Sequence, residues 1–372
     1  MGNIEENSLG SNKGMGGTGI ALMSGTSVNL LNPASYDGFD TLTTVFEMGF
    51  LGKYNKFTNY ETSQRLFDAD FKYLTMGFKI SSKLATSFGI TSYSTVGYDI
   101  TVKSTVEGTS ITYDKVFSGE GGVNQVYLGS SYRILKNLAL GINVVYLFGN
   151  ITHSESSADF NYSLKSVTYL SNINLNYGLN YKFKIKNSDF NIGLIYDNGK
   201  RLTTSNVSTI ADSYGTTTLG STTTSFKIPR TMGIGFAIGK NYFRAGIDYE
   251  MKQWKNIDLN NSLVKSRNSN RVSIGVEFPS FGYNKGTSRM IFYRIGAEYK
   301  ESNLVIDNVP INYRSVTLGA GLPFKGNLNI INLALELGQN GSAKNGLFRE
   351  SFCTLHLDLS LQDHWFLKRK FL

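Results

Sequence analysis

Strict two-residue alternation, sustained well past the length of an ordinary strand and repeated along nearly the whole chain, most limits what this sequence can fold into. From Ile173 the residues Ile173, Leu175, Tyr177, Leu179, Tyr181 and Phe183 alternate with Asn174, Asn176, Gly178, Asn180 and Lys182. Phe243, Ala245, Ile247, Tyr249 and Met251 alternate with Arg244, Gly246, Asp248, Glu250 and Lys252. Near the end, Cys353, Leu355, Leu357, Leu359 and Leu361 oppose Thr354, His356, Asp358 and Ser360. Successive side chains of a strand point to opposite faces. Each segment therefore has one large apolar face and one face of Gly, Asn, Ser, Thr and charge. Helical periodicity is hard to find.

About fourteen such segments occur, at 42–57, 69–80, 84–102, 119–134, 137–151, 166–184, 189–202, 222–239, 242–258, 267–278, 290–305, 310–323, 327–340 and 349–364. Strands of about 9–11 residues or more cross a bilayer as a closed antiparallel barrel, with apolar residues outward and polar residues inward. Closure is required because hydrocarbon leaves no partner for an open strand edge. A polar interior also explains a mean hydropathy of only −0.17 and 13% aromatic residues beside 17% charged ones. The connections alternate in length. Short links fall at Ser81–Lys83, Leu135–Lys136, Ile185–Ser188, Lys240–Asn241 and Lys325–Gly326, with 279–289 the long exception. Long links fall at 58–68, 103–118, 152–165, 203–221, 259–266 and 341–348, with 306–309 short. Short periplasmic turns and long outer loops are the pattern of an outer-membrane barrel. An even strand count places both ends of the barrel on the periplasmic side. A soluble sandwich or propeller would use shorter strands, and the repeat of about 40 residues that marks a propeller is missing. The expectation is an all-β, fourteen-stranded antiparallel transmembrane barrel over 42–372, with residues 1–41 as a hatch within it.

Composition removes other classes. A single cysteine, Cys353, cannot close an internal disulfide, and three dispersed histidines do not make a zinc site. No metal or cofactor is expected. The glycines of Gly14-Met15-Gly16-Gly17-Thr18-Gly19 lack the spacing of a phosphate-binding loop. His153, Glu155 and Asp159 read as solvated loop charge rather than acid–base chemistry. His356, Asp358 and Ser360 share one strand face about 7 Å apart, too far for a triad. The chain is not expected to be an enzyme. Lys and Arg are dispersed, so nucleic acid is not an expected partner. The net charge of +9 suits outer-membrane lipid and lipopolysaccharide phosphates. Inward register on the middle and late strands puts Arg244, Asp248, Glu250, Glu277, Arg294, Glu298 and Glu336 in the lumen, where opposite signs on neighbouring strands would pair. Tyr242, Phe243, Trp365 and Phe366 are candidates for an interfacial aromatic belt. Trp254 falls on the polar register, which leaves it either lumenal or displaced by a bulge. The Ser/Thr/Gly-rich stretch Thr203–Thr224 reads as a flexible outer loop.

The N-terminal motif Gly14-Met15-Gly16-Gly17-Thr18-Gly19, followed by Asn32-Pro33-Ala34, resembles the hatch of FadL-like outer-membrane proteins. Ile228-Pro229-Arg230-Thr231-Met232-Gly233, Ala245-Gly246-Ile247-Asp248-Tyr249, Tyr293-Arg294-Ile295-Gly296-Ala297-Glu298-Tyr299 and Gly321-Leu322-Pro323 extend the likeness over essentially the whole chain. The resemblance implies a hatch that binds or gates through Gly16, Gly17, Asn32, Pro33 and Ala34, and passage of small hydrophobic compounds across a Gram-negative outer membrane. The terminus Trp365-Phe366-Leu367-Lys368-Arg369-Lys370-Phe371 looks like a branch of that family in bacteria with type IX protein secretion. That branch implies an alternative, a plug or accessory subunit docked on a large secretion-channel protein. A third reading is a surface receptor using the loops at 103–118 and 203–221. Met1–Asn7 has neither the basic nor the apolar stretch of an export signal. An outer-membrane barrel needs one, so the expectation is a signal missing from the sequence as given.

Overall fold

A computed structural model describes residues 2–59, 62–255, 264–282, 289–324 and 329–365. Through them runs one antiparallel sheet of eighteen strands. Four of these stand apart from the wall: the two-residue bridge Asn3–Ile4, the hairpin Arg201–Asp212 with Gly215–Lys227, and the short Val264–Ser266. The other fourteen close a barrel. They are β1 (Thr43–Thr58), β2 (Ser63–Lys79), β3 (Leu84–Thr105), β4 (Thr112–Leu135), β5 (Leu138–Ser157), β6 (Tyr162–Ile185), β7 (Ser188–Asp197), β8 (Arg230–Lys240), β9 (Phe243–Gln253), β10 (Ser269–Gly282), β11 (Arg289–Ile306), β12 (Val309–Phe324), β13 (Asn329–Gly341) and β14 (Arg349–His364). Pairing of β14 with β1, from His364 opposite Thr43 to Arg349 opposite Thr58, leaves the wall without a free edge.

The alternation sorts the side chains as a lipid-facing barrel requires. On β9, Ile247 and Tyr249 are 47% and 44% exposed on the outer face, while Asp248 between them is 2% exposed. The outward band continues through Leu128, Ile173, Ile274, Leu318, Leu337 and Leu355. The buried apolar core lies inside the barrel, around Leu30, Tyr36, Phe39, Tyr127, Val145 and Leu147.

Several strands run past their apolar segments. The loop expected at 103–118 contracts to 106–111, because β3 and β4 stay paired from Ser92 and Asn124 out to Thr105 and Thr112. That expected at 152–165 contracts to 158–161, and that at 58–68 to 59–62. Outside the bilayer a strand needs no apolar face, so its outer part carries no hydrophobic signal. The same reason corrects Thr203–Thr224: it is not a flexible loop but most of the hairpin, paired from Asp212 with Gly215 to Arg201 with Lys227. Trp254 lies just past the end of β9, buried, with its carbonyl accepting from Ser266 Oγ at 3.0 Å. Tyr242, Phe243 and Trp365 are exposed. The link at 279–289 and the turn Lys325–Gly326 fall largely outside the described residues, as does the tail beyond Trp365.

The N-terminal segment enters the lumen. Apart from Asn3 and Ile4, which pair with Thr95 and Ser94 of β3, it forms no strand. Two 3₁₀ turns, Gly10–Met15 and Pro33–Gly38, sit against opposite walls: the first on β11 to β14, the second on β4 to β6.

Candidate functional site

The hatch is fixed to the barrel in two chemically different ways. Asn32 caps the second turn, its Oδ1 accepting from Ala34 N at 3.0 Å. Its Nδ2 donates to Ile20 O at 2.7 Å and to Leu179 O of β6 at 3.1 Å. Pro33 and Ala34 lie so close to the wall that a Cβ at Gly141 or Gly178 would strike them. Tyr36 and Phe39 stack with centroids 5.9 Å apart, fully buried, and Tyr36 donates its hydroxyl hydrogen to Asn143 at 3.1 Å. Asp37 closes this face, receiving Arg133 at 2.8 Å and Lys182 at 3.4 Å.

The first turn meets charge instead. Gly16 and Gly17 have φ of +66° and +73°, where a side chain would be strained. Gly16 N donates to Thr317 Oγ1 at 2.9 Å. Gly17 O accepts from Arg271 at 3.0 Å, and Arg271 pairs with Glu298 at 3.1 Å. Asp248 accepts from Gly19 N at 2.6 Å and Ile20 N at 2.9 Å. Glu277 stands between Arg244 and Arg294, each at 2.6 Å. Arg294 also donates to Asn332 at 2.8 Å. Glu250 pairs with Lys252 at 3.1 Å. Glu336 receives the Tyr313 hydroxyl and faces His356 Nε2 at 3.2 Å. The lumenal residues expected from register thus lie inward: Arg294 packs against Gly14 of the first turn, Asp248 holds Gly19 and Ile20 just past it, and Arg244 reaches Met23 O at 3.3 Å. Their partner Arg271 has the same inward register and was not singled out from the sequence.

Before the first turn, residues 4–9 cross the lumen as a strap. Glu5 pairs with Lys72 of β2 on one wall. Glu6 reaches Lys300 at 3.0 Å and Lys252 at 3.4 Å on the other. Burial alone would raise the Glu6 carboxyl, but Lys252 and Lys300, with Arg271 behind them, hold it well below the ordinary 4.5. Asn7 accepts from Gln125 at 3.1 Å. The strap separates two small lumenal cavities. One holds about 80 Å³ beside Ile4–Asn7, Tyr93, Val145, Leu147 and Ile228, the other about 40 Å³ between Glu5–Leu9 and His356. An apolar cavity of about 150 Å³ holds benzene, so neither space admits an aromatic ring while the strap is in place. Nothing in the residue pattern marks this crossing, because two adjacent glutamates in a short N-terminal run fit any solvated end.

The wall beside the larger cavity is low. β7, β8 and β9 have 10, 11 and 11 residues, against 24 in β6. β6 pairs with β7 up to Asn176 and with the hairpin from Leu170 outward. Between them, 171–175 have no strand partner on that side among the described residues; side chains bridge the gap, the Lys200 ammonium reaching Ile173 O at 3.1 Å and Asn174 Nδ2 donating to Asp197 Oδ2 at 2.6 Å. Tyr177, Ile195 and Tyr196 line the lumenal cavity and also an apolar groove on the lipid face with Leu179, Leu194 and Ile234. Here the same residues of the paired β6–β7 wall face a cavity on one side and the groove on the other.

The other polar candidates disperse. His153 accepts or donates to the Tyr98 hydroxyl at 2.9 Å, Glu155 pairs with Lys115 at 2.6 Å, and Asp159 accepts from Asp114 N at 3.0 Å. His356 turns to Glu336, Asp358 receives the Tyr73 hydroxyl at 2.5 Å, and Ser360 donates to Thr26 O at 2.7 Å. No triad forms among them. No group of His, Cys, Asp and Glu that could hold a metal ion occurs among the described residues.

Comparison with known proteins follows this architecture. A family described as BamG matches residues 1–372. No curated protein matches the sequence. Among solved structures, the toluene transporter TbuX of Ralstonia pickettii is similar with TM-score 0.67 at 14% identity, covering 96% of this chain and 99% of that one. The toluene transporter TodX of Pseudomonas putida gives 0.63 at 17% identity, over 98% and 100%. A Pseudomonas aeruginosa FadL homologue gives 0.64 at 11% identity, over 98% and 100%. At these identities the likeness is one of fold.

Proposed function

The chain belongs to the BamG family, and from that premise and its FadL-like fold we propose that it passes small hydrophobic compounds across the outer membrane through a strap-gated lumen. The observation that carries this reading is the shared lining of Tyr177, Ile195 and Tyr196, which puts a lumenal cavity and a lipid-facing apolar groove on the two sides of the same stretch of wall. An apolar solute gains on leaving water for lipid at about 25 cal/mol per Å² of its surface. A route that opens sideways into hydrocarbon uses that gradient, and an aqueous pore does not. The low wall at β7–β9 and the interrupted ladder at 171–175 are where such a route costs fewest backbone hydrogen bonds. The fold relatives named as toluene transporters support the same solute class. The polar remainder of the lumen acts as the seat of the hatch.

The test is influx of the hydrophobic fluorophore N-phenyl-1-naphthylamine, compared with a sugar, into liposomes carrying the purified protein. The reading expects fluorophore influx above protein-free liposomes, no sugar influx, and a change when Tyr196→Ala widens the shared layer. Equal influx with and without protein rejects it. The alternative role on a secretion channel rests on the hatch-plus-barrel plan, which both roles share, and on the tail from Trp365, of which only Trp365 lies among the described residues.

A further inference from the structure

The two ends of the tall wall carry opposite charge. The outer turns at 106–111 and 158–161 contain Glu107 and Asp159 and no lysine or arginine. The opposite turns of the same strands, at 80–83, 136–137 and 186–187, contain Lys83, Lys136 and Lys186 and no acid. Inward of those turns Lys182 and Lys184 alternate with Tyr181 and Phe183, so the two lysines face the mouth of the barrel rather than lipid. Together with Lys136, Phe183 and the hatch residue Met23 they line an open groove beside the hatch, which also contains Asp189, the cross-strand neighbour of Lys184. The lysines are poorly neutralised. Asp37 is already taken by Arg133 at 2.8 Å, which leaves Lys182 a longer contact of 3.4 Å. Lys184 meets Asp189 at 3.2 Å with side chains 78% and 60% exposed, where ion pairs contribute little. Lys136 and Lys186 have no acidic partner within ion-pair distance among the described residues. A cleft with an excess of one sign of charge, here three lysines to one aspartate, raises the local concentration of opposite charge and steers its approach.

We infer that this groove docks an acidic segment of a periplasmic protein. Charge complementarity selects the sign. Location selects protein over lipid headgroups: Lys182 and Lys184 point to the barrel mouth, behind the wall that meets the membrane, and the hatch backbone forms one side. Met23 supplies an apolar contact that a purely ionic ligand would not use. This surface is distinct from the solute route, which lies at the middle of β6 and the outer end of β7.

The experiment uses the full chain in nanodiscs of zwitterionic phosphatidylcholine and a short fluorescein-labelled Glu-rich peptide with one central leucine, read by anisotropy. The double variant Lys136→Glu/Lys184→Glu is compared with Lys103→Glu/Lys165→Glu, which changes charge equally at the outer end. The inference expects wild-type binding that weakens with salt, falls about tenfold or more in the groove variant, and changes less than about twofold in the outer variant. The milder Lys136→Gln/Lys184→Gln supplies the same comparison if the reversal fails to fold. Equal losses in both variants, or no binding at low salt, overturn it. So does a groove variant that keeps the peptide but loses binding to phosphatidylglycerol vesicles, since the lysines would then be lipid contacts.

Discussion

The hatch meets β4–β6 through close packing and meets β9–β13 through buried charge, and the two faces differ in what holds them. On the first, Tyr36 and Phe39 fill a pocket floored by Tyr127, and wall glycines let Pro33 and Ala34 approach. The packing itself is non-directional and tolerates small shifts, and only a few polar contacts, Asn32 to Leu179 O, Tyr36 to Asn143 and Asp37 to Arg133, add direction to it. On the second, Asp248, Arg271, Glu277, Arg294 and Glu298 are each at most 9% exposed. Burying ions costs several kcal/mol each before any pairing, so this face adds little net stability for the groups it uses. It fixes register instead: Asp248 accepts from two consecutive amides, and Arg271 donates to two consecutive carbonyls and one carboxylate. The packed face anchors the hatch, and the ionic face positions the segment leading to the strap.

The largest expected effect comes from breaking the ionic face on one side. Arg271→Ala leaves Glu298 buried and unpaired, and is expected to cost about 3–5 kcal/mol in urea unfolding from detergent. The double variant Arg271→Met/Glu298→Met is expected to recover most of that loss, because a buried pair exchanged for apolar groups is often neutral. On the packed face Gly178→Ala pushes against Asn32 and Pro33, with an expected loss of about 1–3 kcal/mol by the same measurement. Tyr36→Phe keeps the ring and strands Asn143, for about 1 kcal/mol. Far from both faces, Lys115→Ala at the outer extension is expected to leave the melting temperature unchanged, since its pair with Glu155 is solvated.

The strap adds a pH dependence with a definite sign. Glu6 is held well below the ordinary 4.5, so its contribution is present above that ordinary value and is lost as pH falls through the lowered one. A spin label at Asn3→Cys, in a Cys353→Ser background, is expected to stay immobile through neutral and mildly acidic pH and to loosen only in stronger acid. Glu6→Gln is expected to loosen it at neutral pH.

What the sequence disclosed follows the same physics. Period-2 alternation reports lipid contact, so strand number, closure and the inward register of Arg244, Asp248, Glu250, Arg294, Glu298 and Glu336 were readable. The outer ends of β3–β6 and the 201–227 hairpin were not, because strands in water need no apolar face. The hatch was recognisable from Gly14–Gly19 and Asn32–Ala34 through resemblance. The partners of those residues were not, since Gly141 and Gly178 announce a close approach only once the hatch is seen beside them. Glu5 and Glu6 became informative only when Lys72, Lys252 and Lys300, remote in sequence, proved to converge on them.

The central claim is that the strap blocks the lumen to a hydrophobic solute. A disulfide between Ile4→Cys and Ser94→Cys, which face each other in register, in a Cys353→Ser background, tests it most directly. N-phenyl-1-naphthylamine influx is measured before and after reduction. The account predicts low influx when the strap is locked, recovery on reduction, and higher influx still in Glu5→Gln/Glu6→Gln. Influx that is the same with the strap locked, released or unlatched would contradict it.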